Sequence, residues 1–249
     1  MKKLYVLTLA ALLCYSAGQA QILKNVFKKD STGKSGLDKA LKKVPKSASG
    51  LSNDEVINGL KEALQVGTER SAQKLSAMDG FFKDAVIKIL MPPEAQKVEK
   101  TLRKFGFGKQ VDNAILSMNR AAEDAAKSAA PIFVNAIKQM SFQDAMSILR
   151  GGDFAATNYL KEKTLASLTE AFRPVIESSL RKVDATKYWN TVFTTYNKFS
   201  REKVDTDLPA YVTDKAMSGI FYQVGQEEQK IRKDPVARTT DLLKKVFSN

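Results

Sequence analysis

The chain contains no histidine, and its single cysteine, Cys14, lies near the amino terminus. These gaps exclude a Ser-His-Asp triad and any zinc or haem site held by His or Cys. Beyond Cys14 no disulfide can form even in an oxidising compartment, so stability has to come from an apolar core, for which the chain is long enough. Neither a metal nor a cofactor is indicated, and no catalytic residue stands out. Asp205-x-Asp207 opens like a calcium loop, but Leu208-Pro209 stands where further ligands and a glycine belong. Gly33-Lys34-Ser35 imitates the end of a phosphate-binding loop, yet Lys28 occupies the place of the first glycine and no strand precedes it. On composition alone, a Ser-Lys or a carboxylate mechanism survives.

What is present begins with an export signal. Lys2 and Lys3 precede an apolar, uncharged run from Leu4 to Tyr15, and Gly18 and Ala20 supply the small residues of a cleavage site. Cleavage after Ala20 would free Gln21 and remove Cys14. The run is shorter than the roughly 20 apolar residues of a membrane span. Leu13, directly before Cys14, is too bulky for a lipoprotein site. The expected location is therefore the periplasm or cell envelope.

The net charge of +13 is unevenly spread. Residues 21–50 carry eight lysines against Asp30 and Asp38, whereas the remainder is close to balanced. A nucleic-acid-binding domain usually carries its charge on a folded face, so that class is disfavoured. Within the arm, Ile22, Leu23, Val26 and Phe27, and then Leu37, Ala40, Leu41 and Val44, have helical spacing beside lysines. Such a pattern suits an anionic membrane surface. A solvated linker is the plainer reading.

From residue 51 to 249 the pattern predicts one helical domain, an all-α bundle of about seven or eight helices. Ser52 with Glu55 is a capping box, and Val56, Leu60, Ala63, Leu64 and Leu75 follow at helical spacing up to Asp79-Gly80. Residues 85–91 are apolar and β-branched before Pro92-Pro93, and predict a short extended segment, half of a small hairpin. Pro93 opens a helix with Val98, Leu102 and Phe105 on one face, closed by Gly106. A long helix is predicted over 109–139, alanine-rich in its middle and bent by Pro131. Ser141 with Asp144 caps another helix that ends at Gly151-Gly152, and Asp153 is expected to cap the next. Further helices are predicted over 154–182, 186–198, 208–231 and 235–247, the last opened by Asp234 and Pro235.

Four polar clusters interrupt this pattern: Asn119-Arg120 with Glu123, Asp153 with Thr157, Tyr196-Asn197, and Arg232 with Asp234, Arg238 and Thr239. Arg120 and Glu123 share a helix face, and Arg232 and Arg238 carry forked donors suited to a carboxylate or phosphate. One reading is a pocket for an anionic ligand. The plainer one is caps and buried ion pairs that set how the helices register. Glu123, Asp153 and Asp234 are the carboxyls on which an enzyme would draw. Tyr188, Trp189, Phe193 and Tyr196 form a stripe at spacings of three to four, read as a core face.

The succession Leu51-Ser-Asn-Asp-Glu55, Asp79-Gly80-Phe81, Leu116-Ser-Met-Asn-Arg-Ala-Ala-Glu123 and Leu149-Arg-Gly-Gly-Asp-Phe-Ala-Ala-Thr157 resembles the bacterial domain-of-unknown-function 4197 family. So do Tyr188-Trp189-Asn190, Tyr196-Asn197 and Ile231-Arg-Lys-Asp-Pro-Val-Ala-Arg-Thr-Thr-Asp-Leu-Leu243. The resemblance spans about residues 51–248 and implies an exported helical protein of similar length, with no catalytic residues to carry over. The functional expectation is a binding or interaction protein for an anionic small molecule, a lipid or a protein partner. The alternative is a carboxylate-dependent enzyme acting on an envelope polymer.

Overall fold

Ser52 opens the first helix as the sequence predicts. Its hydroxyl accepts from the Glu55 N–H at 3.2 Å, while the Glu55 carboxylate accepts from the Ser52 N–H at 2.7 Å. The computed structural model describes residues 52–199, 201, 203, 205 and 207–234. The residues expected to form an export signal, the arm at 21–50, the helix expected over 235–247, Arg238 and Thr239 lie outside the described residues. Among the described residues there is no strand. They form α1 (Asn53–Ser76), a 3-10 turn (Pro93–Ala95), α2 (Gln96–Lys104), α3 (Gly108–Ala126), α4 (Ala129–Lys138), α5 (Phe142–Arg150), α6 (Ala155–Lys182), α7 (Ala185–Phe199) and α8 (Leu208–Lys233). The all-helical architecture is thus the one the periodicity predicts.

The centre is the pair α6 and α8, with α3 and α4 against α6 and α1 against α8. α1 and α8 run antiparallel. Gly67 faces Ile231, Lys74 donates to the Gln223 side chain at 2.8 Å, and Phe81, just past α1, meets Gly219. In the alanine-rich middle of the predicted long helix, Ala121, Ala122, Ala125 and Ala126 of α3 have no solvent exposure. Phe81, Phe133 and Phe172 are likewise fully buried. Each such side chain contributes about 1.5–3 kcal/mol through the apolar surface removed from water.

The long helix predicted over 109–139 is two helices. The chain breaks at Lys127-Ser128, not at Pro131 itself. The reason is local: Pro131 has no N–H to bond the Lys127 carbonyl, and its ring would crowd that same carbonyl. Ser128 turns instead, with its N–H and hydroxyl both donating to the Ala125 carbonyl. Pro131 then sits in the first turn of α4, where a missing N–H costs nothing.

The hairpin predicted around 85–91 does not form. Residues 85–87 are turn and 88–92 have no regular structure. The backbone of Ile89 nevertheless pairs as a strand would, with a side chain as partner. Asn119 accepts from the Ile89 N–H at 2.9 Å and donates to its carbonyl at 2.8 Å.

Candidate functional site

The first polar cluster holds a loop in place. Asn119 and Glu123 lie one turn apart on α3, both buried, and both face the segment joining α1 to α2. One Glu123 oxygen accepts from the N–H groups of Phe81 and Phe82 at 3.1 and 3.2 Å. The other takes Arg120 at 2.6 Å, and Arg120 reaches on to Asp79 at 2.7 Å. Asp79 has φ of +69°, a left-handed turn that Asp tolerates, and its carboxyl is held below the usual range by Lys83 and then by Arg120. Both Glu123 oxygens are thereby engaged by donors, and the residue ties the loop to α3.

The second joint corrects the cap expected at Asp153. The N-cap of α6 is Phe154, which supplies no side-chain acceptor, and Asp153 is largely exposed, 3.6 Å from Lys233. The cap comes from another helix. Glu228 of α8 accepts from the N–H groups of Ala156 and Thr157 at 3.1 and 2.8 Å and from the Thr157 hydroxyl at 2.7 Å. Arg232 binds Glu228 at 2.9 Å and donates to the Ile148 carbonyl at 3.0 Å, tying the end of α5 into the same joint. A carboxylate at a helix N-terminus is favoured by the aligned peptide dipoles.

The structure therefore gathers Asn119, Arg120 and Glu123 in one place, and Thr157 and Arg232 in another through Glu228. The two joints touch α8 near Gly219 and at Glu228, nine residues or about 13 Å of helix rise apart. Asn197 is partly buried on α7, its carbonyl accepting from Lys203, and Asp234 is exposed at the end of α8. Glu228 was not among the candidates, although its place was signalled: with Ile220, Val224 and Ile231 it holds core spacing along α8, where a glutamate needs a buried partner.

Among the described residues one opening is mainly apolar. α2 leans on α3, while α7 rests on α6 and α8, and a furrow of about 500 Å³ opens between them. Val98 and Leu102 of α2 form one wall, Tyr188, Trp189, Val192 and Phe193 of α7 the other, and Val111, Ala114 and Met118 of α3 the floor. Phe107 and Val183 line it as well, with Glu99, Gln110, Asn113 and Ser117 the polar groups of its lining. The two recesses beside α6 are more open and more polar. Val98, Leu102 and Phe105 had the spacing of a core face, yet α2 buries none of its residues. The aromatic stripe divides in the same way: Trp189 and Phe193 are buried with rings 4.3 Å apart, whereas Tyr188 is 63% exposed.

The outer face of α2 is basic: Lys97, Lys100 and Lys104 lie on the side turned away from Val98 and Leu102, while the charged residue of the furrow's lining is Glu99. Residues 96–109 carry Lys97, Lys100, Arg103, Lys104 and Lys109 against the single carboxylate Glu99, which Arg103 binds at 2.9 Å. Arg103 also holds Asp112 at 2.7 Å. Glu99 and Asp112 thus share one guanidinium.

Comparison with known proteins gives one match. The family model described as "Protein of unknown function (DUF4197)" matches residues 50–248. No curated protein and no solved structure matches the chain.

Proposed function

We propose that this chain, which belongs to the DUF4197 family, is an exported envelope protein that binds the acyl chain of an anionic amphiphile. One observation carries the reading: a furrow of about 500 Å³, lined by aliphatic and aromatic side chains, lies beside a basic helix. Ligand pockets are typically concave, mostly apolar and of this order of size, with a few polar groups fixing orientation. An acyl chain matches the lining of α2, α3 and α7, and an acidic headgroup matches the basic residues around the turn from α2 to α3, outside the lining itself. The polar clusters support the same choice by elimination of their own ligand role, since Glu123, Glu228, Arg120 and Arg232 are spent on backbone and on one another. Export, cleavage after Ala20 and an envelope location belong to this proposal and rest on the amino-terminal pattern.

Trp189 makes the test direct, because the one tryptophan of the chain forms part of the wall. A fatty acid brominated in mid-chain quenches indole fluorescence only on contact. Titration with dibromostearate should quench Trp189, and unlabelled stearate should reverse it. Ala114→Phe, which fills the floor, should weaken this response at least tenfold with helicity unchanged. Absence of quenching in the parent chain refutes the reading.

A further inference from the structure

The end of α2 carries two exposed aromatic rings on either side of a glycine turn. Gly106 takes φ of +88°, with nothing within 4 Å of where a Cβ would stand, and so turns the chain sharply in open space. That turn leaves Phe105 76% exposed and Phe107 48% exposed, two large rings on one projecting corner. Phe107 lines the furrow as well, so the corner is continuous with the furrow's end. Exposed Lys100, Lys104 and Lys109 lie within a few residues of the two rings. The acids nearest them, Glu99 and Asp112, are both held by Arg103.

Solvent alone does not account for this corner. A pair of exposed aromatic rings costs solubility, and contiguous exposed apolar groups mark contact sites. Rings beside lysines on an amphipathic helix match the boundary between headgroups and acyl chains, where rings enter the apolar layer and cations meet anionic headgroups. We infer that the corner Phe105-Gly106-Phe107, with Lys100, Lys104 and Lys109, docks the protein on an anionic lipid bilayer. Docking there sets the end of the furrow against the acyl layer. The inference rests on the acyl-binding reading, and it assigns contact to this corner and not to the basic arm at 21–50.

The test uses the chain starting at Gln21, as export would leave it, so that the arm is common to every variant. Vesicles of phosphatidylcholine alone and of an equimolar phosphatidylcholine–phosphatidylglycerol mixture are sedimented with each protein. Binding should appear with the anionic vesicles and weaken with salt. Phe105→Ser should reduce it about tenfold or more through the lost apolar contact. Replacing lysines 100, 104 and 109 with Gln should reduce it by roughly fivefold per lysine. Because Phe105 packs on little, its variant should keep the parent's helicity and, in vesicle-free solution, the quenching of Trp189 by dibromostearate. Ala114→Phe should do the converse, losing quenching and keeping vesicle binding. Parent-like vesicle binding by both corner variants overturns the docking inference and leaves the furrow reading standing. Vesicle binding with no quenching in any protein sinks the acyl reading instead.

Discussion

Asn119 shows how much one side chain can hold at the residue scale. Its amide accepts from the Ile89 N–H, donates to the Ile89 carbonyl, and also donates to the Ile115 carbonyl at 2.8 Å. Asn119→Ala leaves two buried loop groups without partners, each costing about 1–3 kcal/mol. Urea unfolding should show a loss of about 3 kcal/mol, whereas Ser117→Ala, two residues away and half-exposed, should change stability by less than about 0.5 kcal/mol. Glu228 is held to a stricter standard because it is charged. Glu228→Ala leaves three donors at the start of α6 without their acceptor and takes from Arg232 its carboxylate, and should cost about 4 kcal/mol. Glu228→Gln keeps one acceptor and should cost less. Equal losses in the two variants would mean that packing, and not the cap, is what Glu228 provides. The sequence marked Asn119, Arg120 and Glu123 as unusual but not what they hold. Asn119 and Glu123 hold backbone groups 30 to 42 positions away, and Arg120 reaches the Asp79 carboxylate 41 positions away, farther than any local rule reaches. Thr157 was visible for the same reason that Glu228 was overlooked: one sits in a small-residue motif, the other inside an apolar helical pattern.

Between elements, the helix boundaries were mostly legible because they are set by nearest neighbours. The capping boxes at Ser52 and Ser141 form as their spacing requires, and Asp207 caps α8 by accepting from the Ala210 N–H at 2.9 Å. The break before Pro131 was displaced by four residues, since proline damages the carbonyl behind it more than its own position. What the sequence did not reveal was which amphipathic faces remain unpaired. The stripe of α2 and the stripe of α7 have the periodicity of core faces, and only the packing of α2 on α3 and of α7 on α6 shows that both border a furrow. Close packing elsewhere can be tested at the glycines. A Cβ at Gly219 would lie 2.5 Å from Phe81, which is fully buried and has no room to retreat. Gly219→Ala should destabilise by about 1–3 kcal/mol. Gly152→Ala, with no atom within 4 Å of the added methyl, should stay within about 0.5 kcal/mol. Thermal unfolding of the pair separates a crowded helix contact from a general dislike of alanine at glycine positions.

For the whole molecule, ionisable groups at many joints give stability a common dependence on pH. Asp79 is held below the ordinary carboxylate range by Lys83 and Arg120, Asp124 by Lys127 and Ser179, and Asp144 by the hydroxyl and N–H of Ser141. Burial pushes Asp207 up, but the Ala210 N–H and Arg173 outweigh it and leave it lowered. In each case the unfolded chain takes up its proton first as pH falls, so the unfolded state binds more protons and stability rises with pH. The contribution is complete above the ordinary carboxylate pKa of about 4 and is lost as pH drops through the lowered folded values. At the alkaline end, burial pushes the Tyr211 phenol up to about 12, and its hydroxyl donates to the Leu90 carbonyl at 2.8 Å. There the unfolded chain releases its proton first, near the ordinary value of about 10, and stability falls as pH rises further. The urea midpoint should therefore hold a plateau between about pH 5 and 9 and fall on both sides. Asp79→Asn retains the left-handed turn and removes one of the four carboxylates, so its acid limb should be shallower than the parent's. Tyr211→Phe should make the alkaline limb shallower and leave the acid limb unchanged, with Tyr159, which burial also pushes up, retaining part of it. If both variants fall in parallel with the parent at both ends, the limbs come from net charge across the bundle and not from these joints.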